Sequence, residues 1–251
     1  MSEWKTRVEE NTMRPDLSLP LLRFLSTLVP VVLLSTTACK HADTPSHAQS
    51  EHGQHHPHQG GMPHRFENAE EWAKRFDDPE RDTWQKPESV VKALELAPDA
   101  KVADIGSGTG YFAVRVARAV PGGRVYGVDI EPDMVRYLGE RAKREKLGNL
   151  ESVLGCAEDP KLPEVVDVVL IVDTYHHFGD RAAYMRRVGE ALKPGGRVVI
   201  IDYRKESPKG PPAEHKLPPE QVRRELESVG FRLARTHDFL PDQYFLVFER
   251  G

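Results

Sequence analysis

Cysteine is almost missing from this chain: Cys39 and Cys156 are the only two in 251 residues. That excludes a disulfide scaffold and a cysteine-only zinc site within one chain. An excess of one charge is missing too. Thirty-five Lys and Arg stand against 39 Asp and Glu, for a net charge of −4. A nucleic-acid binder held by bulk positive charge is therefore excluded, and no strip of interleaved basic and aromatic residues is visible. The 39% hydrophobic share is enough for a buried core but not for a multispan membrane protein. What the chain does have is unevenly placed. Seven of its 11 histidines (His41, His47, His52, His55, His56, His58 and His64) fall before residue 65.

Residues 1–38 read as a leader. Residues 24–34 form an apolar run of signal-peptide length, preceded by Arg14 and Arg23 and followed by Ser35, Thr36, Thr37 and Ala38. The run is shorter than the roughly 20 apolar residues of a membrane-spanning helix. Cys39 directly after Ala38 resembles the cleavage and lipidation site of bacterial lipoproteins, although Thr36 replaces the usual aliphatic residue. The resemblance implies a membrane-anchored, periplasm-facing protein. The domain would instead be cytoplasmic if the leader is not functional. The polar residues 1–12 suggest Met13 as an alternative start. An uncleaved anchor, or a buried helix interrupted by Pro20 and Pro30, is the competing reading.

Residues 39–64 then form a linker rich in His, Gln, Ser, Gly and Pro. Such a segment buries too little apolar surface to offset the entropy of ordering. A plain solvated tether is the favoured reading, and metal binding through imidazoles is the alternative. No metal site is expected in the rest of the chain.

Residues 65–251 alternate helix and strand. Helical spacing predicts helices over Glu67–Asp77, Pro87–Leu96, Tyr111–Ala119, Pro132–Lys146, Arg181–Leu192 and Pro219–Ser228. Strands are expected over Lys101–Ile105, Arg124–Val128, Leu150–Leu154, Val165–Val172, Arg197–Tyr203, Phe231–His237 and Tyr244–Glu249, the last two as a hairpin through Pro241 and Asp242. Nearly continuous aliphatic runs such as Val198–Ile201 suit strands covered on both faces. The pattern predicts an α/β domain with a doubly wound, mostly parallel sheet. Ligands bind such sheets at the carboxyl ends of the strands.

The segment Asp104-Ile105-Gly106-Ser107-Gly108-Thr109-Gly110 joins the first strand to its helix, and Asp129 ends the next strand. Glycines let the backbone approach a ligand closely, and an acid at that strand end accepts from ribose hydroxyls. The spacing is G-x-G-x-G rather than the G-x-G-x-x-G of dinucleotide enzymes. Asp104 before the loop suits a cationic ligand better than a pyrophosphate.

With Leu192-Lys193-Pro194-Gly195-Gly196-Arg197, these motifs resemble the class I S-adenosylmethionine-dependent methyltransferases over about residues 80–251. The resemblance implies a seven-stranded, Rossmann-like sheet whose last strand is antiparallel. It implies S-adenosyl-L-methionine as cofactor and a small-molecule acceptor. Gly106, Ser107, Gly108 and Gly110 would line the methionine and ribose portion, and Asp104 would hold the amino group. Asp129 would bind the ribose, Ile130 would pack on adenine, and Cys156 and Ala157 would sit at the adenine edge. Cys156 departs from the Asp often found there and reads more readily as a small buried apolar residue. Asp173 and His176, in Asp173-Thr174-Tyr175-His176-His177, are the candidates for contact with substrate or cofactor and for proton transfer. His177 is assigned a packing role. Tyr111 either covers the cofactor or belongs to the core. The N-terminal helices of residues 66–97 would form a lid, with Trp84 and Gln85 as contacts and Trp72 and Phe76 as packing. Arg204–Pro218 reads as a surface lid. The competing functions are a nicotinamide-dependent oxidoreductase and a lipid-anchored metal binder whose methyltransferase-like fold does not catalyse. Oligomeric state is not indicated.

Overall fold

The computed structural model describes residues 66–251. The leader, Cys39 and the histidine-rich linker lie outside the described residues.

Seven strands form one sheet in the order β3-β2-β1-β4-β5-β7-β6. In chain order they are β1 Lys101–Ile105, β2 Arg124–Asp129, β3 Leu150–Leu154, β4 Val166–Val172, β5 Leu192–Tyr203, β6 Phe231–His237 and β7 Gln243–Arg250. The pairs within β3-β2-β1-β4-β5 are parallel, and β7 runs antiparallel to both β5 and β6. This is the doubly wound sheet expected from the alternation of strands and helices. The order reverses between β1 and β4, so the first strand's loop faces a crevice at the strands' carboxyl ends.

Alternation along the strands sorts the core into two layers. Val102, Val125, Val168, Leu170, Val199 and Ile201 face one side with Phe112, Val116 and Leu138. Ala103, Tyr126, Val169, Ile171, Val198 and Ile200 face the other with Met185, Val188 and Leu226. The first layer is covered by α3 (Pro87–Ala93), α4 (Tyr111–Ala119) and α5 (Pro132–Arg144), and the second by α6 (Arg181–Glu190) and α7 (Pro219–Glu227). Proline opens α3, α5 and α7, where its missing N–H has no helical partner to lose.

Three local features differ from the sequence reading. Helix α1 (Ala69–Phe76) ends before Pro79, but a second short helix, α2 (Glu80–Gln85), starts directly after it. Pro79 occupies the α2 N-cap, so the proline punctuates two helices rather than ending one. Strand β5 begins at Leu192, not Arg197. Val166 pairs with Leu192 and Val168 with Arg197. Lys193–Gly196 is thus an outward bulge within the ladder, held by Lys193 Nζ on Asp167 at 2.7 Å. Cys156 is half-buried rather than part of the core. Paired backbone hydrogen bonds with Asp159, at 2.9 and 3.2 Å, close a tight turn that carries it outward.

Candidate active site

The glycine loop leaves β1 at the crevice. Gly106, Gly108 and Gly110 all have positive φ, at 74°, 53° and 92°. At Gly106 the need is doubly set, because a Cβ there would lie 2.2 Å from Thr174 Oγ1. The loop is tied to β2 by Gly106 N and Ser107 N donating to Val128 O at 2.8 and 3.0 Å. The side-chain hydroxyls of Ser107 and Thr109 are buried with no hydrogen-bond partner among the described residues. Buried polar atoms of this kind point to an absent ligand or water.

Asp129 ends β2 beside the loop. Its carboxylate accepts from Gly108 N at 2.8 Å and from Glu131 N at 3.0 Å. Burial raises its pKa, while the same backbone donors oppose the rise. Asp104 lies deeper, 3% exposed. Burial pushes its pKa up to about 7, against the backbone N–H of Ala113 and the charge of Arg81. A cation brought beside Asp104 would restore its ionised form.

The third acid, Asp173, follows β4 with a φ of +53°, a strained conformation for a residue with a side chain. Gln85 Nε2 donates to it at 3.0 Å, Tyr203 OH at 3.3 Å, and Gln243 Nε2 closes on its other oxygen. Arg81 Nη2 stands 3.5 Å away. Burial raises the Asp173 pKa to about 6, with Arg81 pulling it down and Asp202 adding to the rise. Three residues on, His176 Nδ1 lies 2.9 Å from both oxygens of Asp202, and both side chains are 3% exposed. Burial lowers the His176 pKa, but the hydrogen bond and charge of Asp202, with Asp173, outweigh it and leave it raised. The structure thus gathers Asp173 and His176 at the strand ends next to the glycine loop.

Ile130, expected against adenine, is 57% exposed beside Asp129 and offers an open apolar face. Cys156 and Ala157 sit in the turn after β3, which is tied to β2 by Gly155 N donating to Asp129 O at 2.9 Å.

Helices α1 and α2 cover the crevice. The rings of Phe66, Trp72 and Phe76 form one cluster, with Trp72 stacked on Phe76 at 5.3 Å. Phe76 packs 3.5 Å from where a Gly108 Cβ would stand, and Phe66 meets the His177 ring edge-on at 6.2 Å. Trp84 lies 6.2 Å from Tyr203. Gln85 is fully buried on Asp173. The Arg204–Pro218 segment folds back over this corner, with Gly210 against the Tyr203 ring and Lys209 over Trp84 at 5.1 Å. Tyr111 is held between two guanidiniums, Arg81 at 4.0 Å and Arg115 at 4.1 Å, with its hydroxyl 2.5 Å from Asp82.

Sequence reasoning missed Asp202, Gln243 and Arg81. Asp202 had a usable signal, since it follows an aliphatic strand as Asp129 does. Gln243 and Arg81 had none.

A strand-loop-helix glycine turn, an acid at the next strand end and a β7-before-β6 antiparallel edge define a nucleoside-cofactor transferase of Rossmann-like build. Comparison with known proteins gives the family. A family model for a methyltransferase domain matches residues 96–242, and the chain belongs to that family. Phosphoethanolamine N-methyltransferase 3 of Arabidopsis thaliana is 35% identical over 121 residues, 48% of this chain and 24% of that protein. A ubiquinone/menaquinone biosynthesis C-methyltransferase of Geotalea daltonii is 30% identical over 118 residues, 45% of this chain and 50% of that protein. The matched stretch thus spans a quarter to a half of these relatives. A crystal structure of an S-adenosylmethionine-dependent methyltransferase from Aquifex aeolicus superposes with a TM-score of 0.69 at 28% identity, covering 72% of this chain and 98% of that one. The cofactor of this fold is S-adenosylmethionine. The site's chemistry fits it: three acids for a ligand bearing an ammonium, a sulfonium and a ribose, an open apolar face at Ile130, and unpartnered hydroxyls in the loop.

Proposed function

We propose that this chain transfers a methyl group to a small acceptor, with His176 receiving the proton that the acceptor atom gives up. The observation that carries this is the buried His176–Asp202 pair beside Asp173, at the strand ends that also carry the glycine loop. S-adenosylmethionine, when bound, supplies an electrophilic methyl carbon on a sulfonium. Asp104 would hold its amino group, Asp129 its ribose hydroxyls, and Ile130, Cys156 and Ala157 would flank its adenine.

The protein's own part is orientation, exclusion of water and management of one proton. Asp202 occupies Nδ1 of His176, which leaves Nε2 for proton exchange and stabilises the imidazolium that results. Asp173 is fixed by Gln85, Gln243 and Tyr203 at the end of β4, and would act on the reacting end of the acceptor from there. The α1–α2 cover and the Arg204–Pro218 segment close the corner against solvent. A small acceptor is in keeping with relatives named phosphoethanolamine N-methyltransferase and ubiquinone/menaquinone biosynthesis C-methyltransferase. Calorimetric titration with S-adenosylhomocysteine and with nicotinamide dinucleotides tests the cofactor. Tight dinucleotide binding without S-adenosylhomocysteine binding overturns the reading.

The same proposal places the domain at a membrane through a lipidated Cys39, after removal of residues 1–38 and with residues 40–64 as tether. The supports are the apolar run, the small residues before Cys39 and the tether's composition. Palmitate labelling in the native host tests it, and an unmodified Cys39 refutes it.

A further inference from the structure

S-adenosylmethionine carries an α-amino acid, so its site must hold a carboxylate as well as an ammonium. The loop region is strongly acidic, with Asp104, Asp129 and Asp173 converging on it. A ligand carboxylate placed there without a counter-charge would be repelled by each of the three that is ionised. We infer that Arg81, on the covering helix α2, is the counter-ion for the cofactor's carboxylate and makes the site selective for ligands that retain it. This rests on the S-adenosylmethionine reading above.

Three features of Arg81 support the assignment. It stands 3.5 Å from Asp173 and close enough to Asp104 to act on it electrostatically. Its plane is fixed rather than free: it stacks 4.0 Å over Tyr111, the first residue of α4 after the glycine loop. Its Nε donates to Gln85 Oε1, and its Nη1 to Phe76 O at 2.8 Å. Among the described residues Nη2 has only the long contact to Asp173, so one edge of a pre-oriented guanidinium retains unused donors. Guanidinium donors match a carboxylate in geometry as well as charge. The buried, unpartnered Ser107 and Thr109 hydroxyls in the adjacent loop mark the same region as built for a polar ligand. Lysines elsewhere on the cover do not share this placement. Lys74 pairs with Glu71 at 2.8 Å, and Lys86 donates to Phe239 O at 2.8 Å.

The test compares two probes by calorimetry: S-adenosylhomocysteine and its decarboxylated analogue, S-adenosyl-3-thiopropylamine, which keeps the amine. The wild-type protein should prefer S-adenosylhomocysteine by about ten- to a hundredfold, the worth of a charge-assisted hydrogen bond. Arg81→Gln should weaken S-adenosylhomocysteine by that factor more than it weakens the analogue, whose amine senses Arg81 only through Asp104, and so erase the preference. Arg81→Lys should keep part of it. The preference is a ratio within one sample, so partial unfolding of a variant does not produce the result. Equal weakening of both probes in Arg81→Gln would make Arg81 a packing residue and overturn the inference, as would a preserved preference. Wild-type protein that binds neither probe overturns the cofactor reading and this inference together.

Discussion

His176 Nδ1 sits 2.9 Å from each carboxylate oxygen of Asp202, with both side chains 3% exposed. A residue that follows β4 and one at the end of β5 are thereby joined across neighbouring parallel strands. The pair sets both the tautomer and the proton affinity of the imidazole.

A base must be neutral to accept a proton. The folded-state pKa of His176 is raised above 6.5, so kcat should rise with pH through a midpoint above 6.5. Asp202→Asn removes the hydrogen-bonded charge behind the rise, and the limb should move to lower pH as kcat falls. His176→Gln should cost about 10²-fold or more in kcat while leaving S-adenosylhomocysteine affinity near wild type. A pH–rate profile on the three proteins checks this. An unshifted limb in Asp202→Asn refutes the coupling.

Asp104 makes binding and stability run in opposite directions with pH. Its carboxyl, pushed up to about 7 by burial, must ionise to hold an ammonium. S-adenosylhomocysteine affinity should therefore weaken as pH falls from about 8 to about 6, and Asp104→Asn should remove that slope. In the ligand-free protein the folded carboxyl still holds a proton that the unfolded chain, near 3.8, has released. Stability should fall as pH rises between those values. Asp104→Asn should then raise Tm at about pH 8 by an amount worth ~1 kcal/mol or more, while binding is weakened. Thermal melts at two pH values decide it. A destabilised Asp104→Asn would show that the hydrogen bond from Ala113 N outweighs the cost of burying the charge.

Two glycines with nearly the same φ should differ when replaced. Gly106 and Gly195 have φ of 74° and 75°. A Cβ at Gly195 meets open space, whereas one at Gly106 overlaps Thr174. Gly195→Ala should cost about 1 kcal/mol, the left-handed penalty alone. Gly106→Ala should cost roughly 2 kcal/mol or more, because overpacking adds to it. Denaturant unfolding of both variants checks the difference. Equal losses would mean that Thr174 rotates away freely.

The glycine loop, Asp129 and the succession of strands and helices were legible because each rests on a local, repeating signal: aliphatic runs, a turn that needs glycine, an acid at a strand end. Helix α2 was not, since its six residues show less than two turns of periodicity and begin beside a proline. The Lys193–Gly196 bulge reads as a turn in any linear scan, and only pairing with β4 reveals that the strand starts before it. Gln243 is the sharpest case. It lies 70 residues from Asp173 in sequence and meets it because β7 turns back antiparallel against β5 and places its first residue at that strand's carboxyl end. A neutral amide carries no charge or periodic signature to announce such a meeting.

That amide gives the last prediction. Gln243 is fully buried, its Nε2 on Asp173 and its Oε1 receiving Gln85 Nε2 at 3.1 Å. Replacing it by leucine leaves Asp173 with fewer donors in a buried setting and removes one of the two acceptors of the Gln85 amide. The Asp173 pKa, already pushed up to about 6, should climb further. A protonated carboxyl needs those donors least, so the damage depends on pH. Gln243→Leu should lower stability by about 1–3 kcal/mol at about pH 8, where Asp173 is ionised in the wild type. The loss should shrink at about pH 5, where both proteins hold the proton. Unfolding curves at the two pH values measure the difference. A loss independent of pH would assign the damage to packing and the Gln85 contact, and would remove Gln243 from the set of groups that hold the Asp173 charge.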